Sequence, residues 1–168
     1  MNRNCYYFVE GSCEKILINA LKENPALLVA GKVEVLNVVQ SKIKASILIG
    51  IKERSRIVFV FDTDIDTNVT ILKDNINIVK KYCCKPEIIT IPQVQNLEEE
   101  LLRATNVKNI IDITKSKSKS DFKRDFCKLN NNCRNALEKH NFDISKFWTR
   151  KPNNKFNFVD QQSNKIKL

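Results

Sequence analysis

Residues 56–66 read RIVFVFDTDID, and this stretch decides the fold. After Arg56, residues 57–61 are apolar on both alternating faces, as in a central strand of a parallel sheet covered by helices on each side. The run ends abruptly in Asp62-Thr63-Asp64. Working back from it, residues 41–52 place Ile43, Ile47, Leu48 and Ile51 at helical spacing, and 32–39 (KVEVLNVV) alternates as a strand. Residues 13–22 repeat the helical pattern through Ile16, Leu17, Ala20 and Leu21, with Ser12 as the expected N-cap and Asn24-Pro25 as the stop. Residues 5–9 (CYYFV) form an aromatic and β-branched strand that breaks at Glu10-Gly11.

Working forward, a helix is predicted near 68–82, a strand at 87–91 (EIITI), and a short helix at 96–104 whose Asn96 and Glu99 fit a capping box. Strands alternating with helices predict an α/β fold: a parallel, Rossmann-like sheet of about four strands flanked by helices. After Asp112 the composition changes. Residues 113–129 (ITKSKSKSDFKRDFCKL) begin as a Lys/Ser alternation and then turn helical from about Asp121, capped by Ser120, with Phe122, Phe126 and Leu129 on one side. A second helical stretch is expected around 133–139, Phe147 and Trp148 are expected to pack back on the body, and 149–168, rich in Asn and Lys, is expected to be partly disordered. The expected division is therefore an α/β domain over 1–112 and a basic helical extension over 113–168.

Charge follows that division. Residues 1–114 carry 15 Lys+Arg against 14 Asp+Glu, whereas 115–168 carry 14 against 5, so nearly all of the net +10 lies in the last third. Such asymmetry points to a polyanion, either nucleic acid or an anionic membrane surface, or else to a solvated basic tail; nucleic acid is the expected partner. The six cysteines include no C-x-x-C pair and there is a single His, which argues against a zinc site and for reduced thiols in a cytoplasmic protein. The polar start predicts no secretory leader, and no apolar run reaches membrane-spanning length, so no membrane partner is expected.

Functional groups in parallel α/β sheets gather at the carboxyl ends of the strands. Glu10 ends the first predicted strand; Asp62 and Asp64 end the third. If those strands are neighbours, three carboxylates meet, and each like-charged pair at 4 Å costs about 4 kcal/mol at an effective dielectric near 20. A shared proton or a divalent cation relieves that repulsion, and an all-oxygen donor set suits Mg²⁺ or Mn²⁺. Gly11 and the start of the following helix add room and N–H donors for a phosphate.

The residues FVEGSCEKILINAL, followed some fifty positions later by VFVFDTDID, resemble the Toprim domain of primases, topoisomerases, OLD-family nucleases and ribosomal-RNA-maturing nucleases. The resemblance covers roughly residues 6–91. It implies that Glu10 is a metal ligand or general acid/base and that Asp62 and Asp64 bind Mg²⁺. Glu14 falls where OLD-like branches carry a second acid, with Ser12 and Cys13 intervening, and Asp66 extends the acidic run as an auxiliary ligand or a helix cap. The implied activity is Mg²⁺-dependent hydrolysis of nucleic-acid phosphodiesters. Lys15, Arg54 and Arg56 are candidates to neutralise the phosphate, and Lys115, Lys117, Lys119, Lys123 and Arg124 to grip the backbone. Stand-alone Toprim proteins linked to bacterial phage defence imply an effector subunit with a separate ATPase partner; a homo-oligomer stays open. Two other readings remain: a receiver-like phosphorylation module, and a non-catalytic module that docks nucleic acid or a partner protein.

Overall fold

The computed structural model describes residues 4–64, 69–152 and 155–168. Its sheet consists of β1 (Cys5–Val9), β2 (Lys32–Val35), β3 (Arg56–Asp62) and β4 (Glu87–Gln93), all parallel, in the order β2-β1-β3-β4. The helices are α1 (Ser12–Lys22), α2 (Ala45–Leu48), α3 (Thr70–Tyr82), α4 (Leu97–Ala104), α5 (Ile111–Thr114), α6 (Lys119–Leu129) and α7 (Cys133–Lys139). This is the α/β, Rossmann-like arrangement that the alternating pattern predicts.

The alternation within β3 assigns the two cores. Val58 and Val60 join Tyr7 and Val9 of β1 in a cluster with Leu17 and Leu21 of α1, Leu101 of α4, Phe122 and Phe126 of α6 and Leu137 of α7. Ile57, Phe59 and Phe61 face the other way and pack with Phe8, Leu48 of α2, and Leu72 and Val79 of α3. Phe122 and Phe126 are fully buried in the same cluster as the sheet, so the boundary at 112/113 is one of charge, while the packing runs straight across it. Gly31, just before β2, lies so close to β1 that an added Cβ would sit 2.5 Å from the Cys5 carbonyl oxygen; only glycine fits there.

Several local expectations are corrected. The α1 N-cap is Gly11, in extended conformation, and Ser12 is already helical. β2 stops at Val35 because Asn37 Oδ1 accepts the N–H groups of Val39 and Gln40 and turns the chain. The expected helix over 41–52 is reduced to α2. Its flank is held instead by Asn75 of α3, fully buried, which accepts from Ile43 N–H and donates to the carbonyls of Val38 and Ser41. α6 is capped by Ser118, whose Oγ accepts from Asp121 N–H, rather than by Ser120.

The end of the chain departs furthest from expectation, since its described residues are packed. Phe156, Val159 and Ile166 are buried, and Gln162 bonds Thr90 of β4 through both its backbone N–H and its side-chain oxygen. Gln161 donates to the carbonyl of Pro92. Full burial of an aromatic or branched side chain contributes about 1.5–3 kcal/mol, which offsets the ordering of an otherwise polar segment. The segment thereby covers the outer edge of β4, where Pro92 is tolerated because an edge strand needs no ladder donor on that side. Among the described residues no helix is long and apolar enough to cross a membrane.

Candidate functional site

In the order β2-β1-β3-β4 the chain moves outward from β1 in one direction and from β3 in the other, so the crevice between the carboxyl ends of β1 and β3 is the topological switch point where α/β sheets bind ligands. Glu10 and Asp62 occupy it. Val9 pairs with Val60 across the two strands, and just beyond that pair the Glu10 Oε2 accepts the backbone N–H of Asp62 at 3.1 Å. Glu14, in the first turn of α1, is buried beneath them; a Cβ on Gly11 would come within 3.1 Å of its Oε2, so glycine leaves room for that carboxylate.

Asp62 is 6% exposed, and its Oδ1 is buried without a hydrogen-bond partner. Burial is the largest influence raising its pKa, followed by the charges of Glu10, Glu14, Asp64 and Glu98; together they push it up to about 9. Burial likewise raises Glu10, opposed by the Asp62 N–H and reinforced by Asp64. Burial also raises Glu14, with Glu10 and Glu98 adding to the effect. Asp64 is exposed, and its Oδ2 accepts from Asn96 Nδ2 at 2.9 Å, at the start of α4. The backbone N–H groups of Thr63 and Asp64 are both held by the Gln95 carbonyl, at 2.9 and 3.0 Å.

Two groups in this cluster carry roles the sequence pattern did not assign. Glu98 belongs to a run of three acids in the first turn of α4, which reads as ordinary complementation of a helix N-terminus and so hides its part here. Lys123, expected to face nucleic acid, stands 3.5 Å from Glu98 at the mouth of the acidic cavity. Burial lowers its pKa, but Glu98, Asp62 and Glu14 outweigh that and hold the ammonium above its usual range. The placement comes from α6 docking on α1: Cys13 Sγ lies 3.3 Å from Cys127 Sγ and donates to the Lys123 carbonyl at 3.4 Å. The resulting cavity, about 340 Å³, is lined by Glu10, Gly11, Glu14, Asp62, Lys123 and Cys127 among others.

Comparison of the chain with protein-family models, curated proteins and solved structures finds no match.

The structure brings together Glu10, Glu14 and Asp62, with Asp64 at the rim. Asp66 lies outside the described residues. Arg54 and Arg56 do not reach the site. Arg56 starts β3 and pairs with Glu87 at 3.2 Å, six residues from Asp62, which is about 20 Å along an extended strand. Arg54 precedes it, so both stand at the opposite end of the sheet. Lys15 is exposed on the first turn of α1, and Lys115, Lys117 and Lys119 are exposed around the start of α6. Arg124 bonds Asp121 and Asp125, which blunts its charge.

Among the described residues, no three His, Cys, Asp or Glu side chains form a ready-made metal-holding group. Magnesium rarely needs one: it keeps several waters and binds through one or two carboxylates plus substrate phosphates. An orphaned buried carboxylate oxygen on Asp62, with the Glu10 carboxylate beside it, fits that mode of binding.

Proposed function

We propose that this protein is a Mg²⁺-dependent nuclease of the Toprim type, acting on nucleic-acid phosphodiesters at the crevice between β1 and β3, as the effector subunit of a bacterial defence system with a separate ATPase. The observation that supports this best is the buried, unpartnered Oδ1 of Asp62, whose proton affinity is raised first by burial and then by the nearby charges of Glu10, Glu14, Asp64 and Glu98. A native fold leaves a buried acceptor unpaired at a cost of about 1–3 kcal/mol, and a bound cation removes both that cost and the mutual repulsion.

The divalent cation would polarise the scissile phosphate and stabilise the leaving oxygen. Asp62 and Glu10 would hold it, with Asp64 reaching it from the rim. Glu14 keeps the pocket electronegative from below. Glu10, whose proton affinity is raised by burial while it stays hydrogen-bonded to the β3 backbone, is suited to proton transfer. Lys123 is placed to meet a phosphate oxygen, and the exposed Lys115, Lys117 and Lys119 extend the positive surface along the strand.

The test is cleavage of single- and double-stranded DNA and RNA in Mg²⁺ and in EDTA. Cleavage is expected only with Mg²⁺. Glu10→Gln, whose amide oxygen still accepts the Asp62 N–H, is expected to lose cleavage while binding in EDTA stays within about twofold. Loss of binding in step with cleavage, or no cleavage of any substrate, would count against the proposal.

The position of Lys123 also favours a second reading, a non-catalytic module binding nucleic acid or the ATPase, in which the lysine is the permanent counter-ion of the acids. The two readings separate on Lys123→Gln. In the nuclease, removing a two-thirds-exposed cation strengthens Mn²⁺ binding about two- to fivefold and weakens nucleic-acid binding, with the slope of log affinity against log salt falling by about 0.9. Calorimetric Mn²⁺ titration and fluorescence anisotropy at several salt concentrations read both. If Mn²⁺ binds neither the variant nor the parent, the lysine is the resident counter-ion and the module reading is favoured.

A further inference from the structure

The ladder between β3 and β4 runs Val58↔Ile89, Val60↔Ile91, Asp62↔Gln93 on one face of the sheet. The first two pairs are fully buried core. The third ends the same face with a carboxyl and a carboxamide on neighbouring strands, whose backbones lie about 4.8 Å apart. Gln93 has no exposed surface, and neither its Nε2 nor its Oε1 has a hydrogen-bond partner; the adjacent Asp62 Oδ1 is in the same condition, and so is Glu98 Oε2 on α4. A methionine or leucine would fill the Gln93 position without any buried polar atom. Among the described residues the other such atoms are Arg103 Nε and Trp148 Nε1, so three of the six belong to this one cross-strand pair at the carboxyl ends of β3 and β4.

We infer that Gln93 is a positioning residue of the acidic site, its carboxamide holding the buried Oδ1 of Asp62 through one bridging water, and so fixing how that carboxylate is presented to a divalent cation. The inference rests on the reading of Asp62 as a cation ligand. A glutamine amide offers two N–H donors and an acceptor oxygen, so it can hold Asp62 Oδ1 through a shared water. The backbone of Gln93 is fixed independently, because its carbonyl accepts from both the N–H and the Oγ1 of Thr63. Its side chain is therefore anchored to the same strand end that it orients. Partners of this kind, one shell out from a metal, change metal affinity about 10- to 100-fold when removed.

The experiment is Mn²⁺ titration, followed by electron paramagnetic resonance, of the parent and of Gln93→Met, with melting temperatures of both in EDTA. The expected result is Mn²⁺ affinity about 10- to 100-fold weaker in the variant, with a melting temperature equal to or above the parent's. Equal affinity in both, with a higher melting temperature in the variant, would make Gln93 a mere core filler and overturn the inference. No Mn²⁺ binding by the parent would instead remove the cation reading, and the positioning role with it. A crystal structure of the metal-free protein provides a check that needs no variant: a water bridging the Gln93 amide and Asp62 Oδ1 supports the inference, and its lack contradicts it.

Discussion

Asp62→Asn is expected to lower Mg²⁺-dependent cleavage by at least about 10²-fold, the scale on which loss of one electrostatic group in a site acts, while making the metal-free protein more stable. The second half follows from the same crowding that makes Asp62 useful. Its carboxyl is buried among Glu10, Glu14, Asp64 and Glu98, and its pKa is raised from 3.8 to about 9. A raised pKa means that the folded state keeps a proton which the unfolded state releases. The parent's stability from this group is complete below about pH 4 and is lost as pH rises towards about 9. Asparagine carries no such penalty. Melting temperatures in EDTA should therefore match at pH 4 and diverge with rising pH, the variant melting higher at pH 8. Adding Mg²⁺ should raise the melting temperature of the parent and leave the variant unchanged, because only a ligand-competent site gains stability by binding. A variant that is less stable at pH 8 would show that Asp62 is structural.

Glu100→Ala is expected to cost about 3–5 kcal/mol, a large share of the 5–15 kcal/mol that holds a domain together. Glu100 has no exposed surface. Its Oε1 accepts the Val94 N–H at 3.0 Å and pairs with Arg103, and its Oε2 accepts the Trp148 N–H at 3.0 Å. Removing it strands two backbone donors and takes the counter-ion from a mostly buried guanidinium, which keeps only its bond to the Val94 carbonyl. Trp148 has φ of 53°, a left-handed conformation rare for a bulky residue, so the carboxylate also holds a strained turn at the root of the C-terminal segment. For a chain of this length about 1 kcal/mol corresponds to 2–4 °C, so thermal unfolding should shift down by about 6–20 °C. Residues 149–168 should also become accessible to protease, since their attachment to β4 depends on that turn. A loss below about 1 kcal/mol would contradict this role. Because Glu100 secures the loop whose Gln95 carbonyl holds Thr63 and Asp64, the variant is also expected to lose cleavage before it unfolds.

The legible part of the molecule was the part governed by short periodicities. IVFVF, apolar on both faces, could only be a central strand, and a Glu and an Asp ending two strands of one parallel sheet meet if those strands pair, as β1 and β3 do. Where side chains replaced backbone patterns, the sequence misled. Asn37 and Asn75 shape the 36–44 segment through specific hydrogen bonds that no hydrophobic spacing reveals, and the regular spacing of Ile43, Ile47 and Ile51 suggested a longer helix than α2. In the C-terminal segment, Phe156, Val159 and Ile166 are diluted by Asn and Lys, so composition hid three buried anchors. The basic residues were the least legible. Arg56 and Lys123 look alike in a charge count, yet one begins a strand at the far end of the sheet and the other is carried by α6 into the acidic pocket.

The account turns on whether a cation belongs between Glu10 and Asp62. A crystal soaked in Mn²⁺ and measured for anomalous scattering answers that most directly. A peak about 2.0–2.2 Å from a carboxylate oxygen of Asp62, with Glu10 in its coordination sphere or one water away, is the predicted result. A crevice without a peak, with the Lys123 ammonium still paired with Glu98, would contradict it.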